Sequence, residues 1–302
     1  MIRFSLRQLT YFVAAAESGS TLQASRVLNV SQPAISMAIN QLEETFEQKL
    51  FVRHHAKGIV LTPFGRRKLI DVRHLLAHAT AVGMGEKERG LEGDLEIGVF
   101  TSVAPIVLPA VLRKLQTEHP GINVRVRESN LETIYKDLES GITELALLYD
   151  LDPSKNMETI EIGSSKPYVV LPYGHELCKN EKVSLVDVSK EVFILIDMPY
   201  SRDYFLSLFR VVDCMPSKII SCASVETVRS MVAHNHGLST LVTRPAGDLS
   251  YDGMRLQCRP ILEEVPPQRC IVGYDPRSTL TPIAKVFIDA CRECAFNQTK
   301  AA

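Results

Sequence analysis

Four histidines in the first eighty residues of this 302-residue chain, His54, His55, His74 and His78, raise the question of a metal site. His74 and His78 stand four residues apart, on one face of an expected helix. No carboxylate or cysteine is spaced to complete a tetrahedral set, so a solvated or dimer-facing surface and no metal is the expectation. Cys291-x-x-Cys294 has no second pair elsewhere and reads as helix packing. The seven cysteines, an odd number scattered over the C-terminal half, read as reduced thiols of a cytosolic protein. Asp150 and Asp197 stand at strand ends, but neither has a partner carboxylate for acid–base work. No glycine-rich phosphate loop, GxSxG elbow or HExxH is present. The expectation is therefore no enzyme and no cofactor.

What remains is binding chemistry, and charge shows where. Residues 1–70 hold nine Lys/Arg against four acids, a surplus of five, while the remainder carries −6 and the whole chain −1. A basic end on a mildly acidic body points to one segment that meets a polyanion. The length suits roughly two domains. At 45% hydrophobic and 23% charged residues, the composition excludes disordered and disulfide-scaffold classes. The N-terminal MIRFSLRQLT lacks the apolar core of an export signal, and no run of about 18 uncharged apolar residues is available to span a membrane. The expected location is the cytoplasm, with no membrane partner.

The elements that position this chemistry follow from periodicity. Leu6, Leu9, Phe12, Val13 and Ala16 recur at helical steps, and Ser18-Gly19-Ser20 breaks that helix. Ser20 and Gln23 form a capping-box pattern opening a short second helix. After a turn at Asn29-Val30, Ser31 caps a third helix with Pro33 in its first turn and Ile35, Ile39, Leu42 and Phe46 as its buried stripe. Two short helices joined by a tight turn make a helix-turn-helix. Two β runs, 50–53 and 58–61, around His54-His55-Ala56-Lys57 make a wing. Thr62-Pro63 restarts a helix to about Glu88 through Leu69, Val72, Leu75, Leu76 and Ala79. With no domain of its own chain to pack on, that helix is expected to pack on a second copy. From Gly90 a β-α-β-α-β order begins: strand 95–100, helix 106–118, strand 122–126, helix 131–140 and strand 144–149. A second set follows, with strands 168–171, 192–196, 218–221 and 239–242 and helices 202–211 and 227–235. The last strand is 269–274 and the closing helix 282–296.

At LRQLTYFVAAAESGS (6–20), VSQPAIS (30–36), INQLE (39–43), KLFVR (49–53) and LTPFG (61–65), the chain resembles the LysR-type transcriptional regulators. PYVVLPYGHEL (167–177) and SVETVRSMVAHNHGLSTL (224–241) extend the resemblance into the C-terminal half. It departs from the family at Glu47, where members usually carry Gly, so the third helix is expected to end differently. It departs again at Met37, where many carry Arg, replacing a polar contact by apolar contact with a thymine methyl. Peroxide-sensing relatives place a reactive cysteine in the stretch matching 198–209. Here that position is Ser201, which argues against such sensing and leaves Cys214 and Cys222 as untested thiols.

The resemblance implies a fold of mixed α+β and α/β class, in three parts. These are a winged helix-turn-helix over 1–62, a linker helix over 63–89 that dimerises, and a two-subdomain, periplasmic-binding-protein-like effector domain over 90–302. One subdomain comprises 90–165 and 268–302 and the other 166–267. Gln32, Pro33 and Ser36 would face base edges, Ser31 and Arg26 phosphates, and Arg53 in the wing a neighbouring minor groove. In the cleft, Thr101, Ser102, Ser129, Asn130 and Tyr149 would come from one subdomain and Tyr200, Ser201, Arg202 and Ser224 from the other. For Thr101, Ser102 and Ser224, helix capping is an equally good explanation. Arg202 has two candidate partners, a ligand carboxylate or a nearby acid such as Asp203. The implied partners are an interrupted-dyad DNA operator, a small organic effector of carboxylate or amino-acid type, further copies in a homotetramer, and RNA polymerase. Two rivals remain. A transport receptor would need an export signal, and an architectural DNA binder would have its cleft filled by side chains.

Overall fold

A computed structural model describes residues 3–54, 58–83, 91–151 and 156–294. At the N-terminus, α1 (Leu6–Ser18), α2 (Thr21–Val27) and α3 (Gln32–Phe46) precede a hairpin of β1 (Phe51–His54) and β2 (Gly58–Leu61), then α4 (Pro63–Gly83). Local chemistry sets each boundary. Ser5 and Gln8 form a full capping box at α1, and Gly19 ends it with φ 61°. The Ser20 and Ser31 hydroxyls accept from the Gln23 and Ala34 amides and start α2 and α3. The Thr62 hydroxyl accepts from Gly65 N at 2.8 Å and opens α4.

The core of this part holds Leu9, Phe12, Ile35 and Leu42, all wholly buried. The face expected of α1 is corrected: Leu6 is 48% exposed, while Tyr11 and Ala15 are buried. Leu6 is the first helical residue, and helix side chains lean towards the N-terminus, so this one projects past the core. The end of α3 is also corrected. Glu47 adopts the left-handed conformation (φ 53°), and Gln48 N donates to Glu43 O at 3.2 Å. This gives the helix the ending a glycine would give, in spite of the Cβ.

Glu43 joins α3 to the wing. Its carboxylate is buried and accepts from Leu50 N (2.9 Å) and Phe51 N (3.2 Å), with Lys49 Nζ at 2.6 Å. α4 then crosses so close to the wing that a Cβ on Gly65 would lie 2.1 Å from Leu50 O. Leu69 and Val72 of α4 are buried in this same core. The first half of the linker helix therefore has a partner in its own chain, contrary to the expectation, and Leu75 remains 40% exposed. The continuation to Glu88 lies outside the described residues.

The larger part begins with β3 (Gly93–Phe100), α5 (Ala104–Glu118), β4 (Ile122–Ser129), α6 (Leu131–Glu139), β5 (Leu145–Tyr149) and β6 (Glu158–Ser165). The chain then crosses to β7 (Tyr168–Pro172), α7 (Leu185–Lys190), β8 (Val192–Ile196), α8 (Ser201–Leu208), β9 (Lys218–Cys222), α9 (Val225–Ala233), β10 (Ser239–Leu241) and β11 (Leu256–Pro260). It returns through β12 (Gln268–Tyr274) and α10 (Pro282–Cys294). One sheet runs β4-β3-β5-β12-β6, with β3 parallel to β4 and β5 and β12 antiparallel to β5 and β6. The other half carries β10-β7-β11 and the parallel pair β8-β9, linked by a bridge from Phe193 to Leu238. Beyond the expected elements there are two additional strands, β6 and β11, and the helix α7. In β6 the burial pattern shows no strict alternation, as suits an edge strand held mainly by its ladder to β12. Cys291 and Cys294 pack into the core from α10.

Removing the Glu43 carboxylate strands two wing amides. Glu43→Ala is expected to cost about 2–3 kcal/mol in urea unfolding of the full chain, with Glu43→Gln costing less. An unchanged midpoint would contradict this role.

Candidate DNA-reading surface and effector cavity

At the start of α3, Ser31, Gln32, Pro33 and Met37 are exposed, Met37 by 59%, and Ser36 is half-buried. Gln32 Nε2 donates to Thr21 Oγ1 at 3.2 Å. That contact uses one amide hydrogen and leaves the other, with the carbonyl, for an adenine edge. Thr21 carries no motif weight by itself; its role shows only once α2 and α3 meet. Ser31 accepts the capping bond, so its own hydrogen remains available to a phosphate. Arg26 is exposed on α2. Arg53 lies in β1, and the expected placement of its side chain is outside the described set, as are those of His54, His55, Lys57, His74 and His78.

The second site is a cavity of about 980 Å³ at the carboxyl ends of the strands, between the two halves of the larger part. Six of the nine residues expected there line it: Thr101, Ser102, Asn130, Tyr149, Ser201 and Ser224. The capping alternative separates them. Ser224 Oγ accepts from Thr227 N at 3.1 Å, and Asn130 Oδ1 from Thr133 N at 2.9 Å, so both are caps. Thr101 and Ser102 are not, because α5 starts after Val103 with no side-chain cap bond.

Three expected residues stand off the wall. Arg202 is corrected: its Nη1 donates to Asp197 Oδ2 at 2.9 Å, and hydrogen bonds from Ser221 and from this guanidinium lower the Asp197 pKa. The nearby-acid alternative holds, with Asp197 in place of Asp203. Tyr200 adopts φ 67° and packs edge-on against Tyr135 of the opposite half, with ring centroids 5.8 Å apart. Ser129 ends β4, where its carbonyl accepts from Thr101 N at 3.3 Å.

Sequence reasoning missed Tyr204, Thr243, Glu128 and Glu226, which also line the cavity. Tyr149 Oη and Thr243 Oγ1 meet at 2.9 Å, a hydrogen bond across the halves, and the Thr243 carbonyl accepts from Tyr168 Oη at 2.9 Å. The Tyr204 hydroxyl is buried without a partner among the described residues, and desolvation pushes its pKa up. Thr243 and Glu226 stand a few residues past strand ends, whereas Glu128 lies within β4 and Tyr204 within α8, where the sequence carries no signal.

Six of the seven thiols point away from redox chemistry. Burial pushes up Cys178, Cys222, Cys258, Cys270, Cys291 and Cys294, the opposite of an activated thiolate. Among the described residues no three His, Cys, Asp or Glu side chains group as a metal site, and no helix is long and apolar enough to cross a membrane.

Arg73 of α4 binds both parts of the chain. Its Nη2 donates to Glu17 Oε1 at the end of α1, and its Nη1 to Gly141 O after α6, each at 2.8 Å.

A winged helix-turn-helix, a connecting helix and a two-halved α/β body with a cavity define a ligand-responsive DNA-binding regulator. The family model for the bacterial regulatory helix-turn-helix of the lysR family matches residues 6–66, and that for the LysR substrate binding domain matches 88–295. The chain belongs to the LysR family of transcriptional regulators, whose members bind DNA and small-molecule effectors and oligomerise, and which are not enzymes. It is similar to HinK, a LysR family regulator from Pseudomonas aeruginosa. The two are 36% identical with a TM-score of 0.66, over 97% of this chain and 99% of that one. The uncharacterized regulator YvbU of Bacillus subtilis is 28% identical over 96% of this chain and 98% of its own length. A full-length OxyR from Pseudomonas aeruginosa, 22% identical, shares the fold with a TM-score of 0.74, over 96% of this chain and 98% of that one.

Desolvation pushes Cys258 and Cys270 up to about 12, against an ordinary thiol value of 9.0. The folded chain therefore holds protons that the unfolded chain releases. This contribution is full below about pH 9 and declines from there towards 12, by about 1.4 kcal/mol per pH unit for each thiol. Urea midpoints measured near pH 8 and near pH 10 should fall accordingly. A flat profile would contradict the burial of these thiols.

Proposed function

We propose that the chain is a cytoplasmic transcription factor whose operator binding is set by a small organic effector held in the cavity. One observation carries this reading: the same chain presents an exposed, capped recognition helix and an unfilled cavity of about 980 Å³ between two α/β halves. An architectural DNA binder would have that cavity packed, and a transport receptor has no use for a winged helix. Residues 1–62 read DNA, with Gln32 and Ser36 on base edges, Met37 on a thymine methyl, Ser31 and Arg26 on phosphates and Arg53 in the minor groove. Residues 63–89 dimerise. The effector domain divides into 90–165 with 268–302 and 166–267. Two dimers form a homotetramer on an interrupted dyad, as half-site spacing mirrors protein symmetry.

The effector is a small carboxylate or an amino acid. The uncapped start of α5 beside Thr101 and Ser102 supports an anionic end, while Arg202 gives it no support. Closure of the two halves on the effector moves α6, which lies between Asn130 on the cavity wall and Gly141 under Arg73. Arg73 passes that shift to α1 through Glu17, altering DNA bend and polymerase access. Such a switch requires the effector to bind one arrangement more tightly than the other.

Gln32→Ala is expected to cost about 1–3 kcal/mol at one base position and to relax specificity there, measured by anisotropy on operator variants. Uniform weakening on all sequences would make Gln32 a phosphate contact instead. Ser102→Ala should lower the effector response at least about tenfold with operator affinity unchanged, the loss of a hydrogen bond to a charged group. Loss of DNA binding would make Ser102 structural.

A further inference from the structure

The chemistry of the effector can be read from the charges on the cavity wall; this rests on the cavity being the effector site. Among the described residues lining it there is no Lys, Arg or His, and the two charged residues are carboxylates, Glu128 and Glu226. They come from opposite halves: Glu128 is the penultimate residue of β4, and Glu226 lies in the first turn of α9. Neither makes an ion pair or side-chain hydrogen bond among the described residues. The two arginines of the same strand are engaged elsewhere, Arg125 with Asp94 and Glu96, and Arg127 with Asp137. The surrounding wall is apolar and aromatic, with Phe100, Leu108, Met198, Tyr204 and Phe205.

We infer that the cavity takes a small organic compound with an apolar body and a protonated nitrogen, the nitrogen held between Glu128 and Glu226. Both carboxylates are exposed and screened by water, but among the lining residues a carboxylate lacking such a nitrogen meets no compensating cation, whereas an ammonium group is attracted by both. The nitrogen also supplies differential binding. With one carboxylate on each half, its interaction strengthens as the halves approach, so it favours the closed arrangement over the open one. Of the two effector types expected from the sequence, an amino acid carries the required nitrogen and a simple carboxylate does not.

The test uses the full-length protein in a thermal-shift titration with phenyl, cyclohexyl and butyl skeletons, each offered as the primary amine, the carboxylate and the alcohol. Wild type is compared with Glu128→Gln, Glu226→Gln and Leu108→Trp, the last filling the cavity. The expected result is that amines raise the melting temperature and the matched carboxylates do not. Either glutamine variant should weaken the amines about tenfold, and Leu108→Trp should abolish their binding. Carboxylates that bind wild type, and bind tighter to the glutamine variants, would overturn the amine assignment while leaving the cavity as the effector site. Amine shifts that persist undiminished in Leu108→Trp would place binding elsewhere and overturn both. A flat response across all three skeletons would also overturn the amine assignment.

Discussion

The guanidinium of Arg73 is the contact on which the integration of this molecule depends. A helix-turn-helix and a ligand-binding body in one chain are only neighbours unless something gives their arrangements a common energy. Arg73 donates at 2.8 Å to a side chain of the DNA reader and at 2.8 Å to a backbone carbonyl of the effector body. Its planar fork suits such a double engagement, because the donors are fixed relative to one another and one cannot shift without the other. The helix that carries it is no free rod, since Leu69 and Val72 sink into the core of the DNA-reading part. A displacement of Gly141 therefore meets a rigid body and not a flexible tether.

On the other side, the two halves of the body meet across the cavity. The Tyr149–Thr243 hydrogen bond crosses between them at the cavity, and Tyr200 lies edge-on to Tyr135. Both contacts join one half to the other, and the strand ladders run within each half. Asn130 and Gly141 flank the two ends of α6, so the cavity and the Arg73 contact share one short helix.

How much of this was legible in the sequence depended on how local the cause is. The helix-turn-helix could be read because Ser20, Ser31 and Pro33 act on amides within a turn of themselves. Leu6 was misassigned because its periodicity is correct but its position at the very start of α1 throws the side chain past the core. β6 escaped because a strand secured by its partner ladder carries little pattern of its own. In the cavity, Thr101, Ser102, Asn130 and Tyr149 are strand ends that the strand pattern locates, and the family resemblance supplies the cleft they face. The place of Arg202 was not legible, since its partner Asp197 is decided by the loop between β8 and α8. The roles of Glu43, Thr21, Tyr204 and Glu226 exist only once distant elements meet. Glu47 shows the reverse case, a residue departing from a family glycine where the backbone keeps the left-handed turn regardless.

The most direct test of the account is amide hydrogen exchange along 130–144 in the full-length protein, free and bound to a DNA duplex selected by the protein from a random pool. Because coupling between sites is reciprocal, DNA bound at α3 must be felt at α6 if the two are linked. The account predicts that DNA changes exchange over 130–144 in wild type and that the change is lost in Arg73→Met. No change in wild type, or the same change in both proteins, would contradict it.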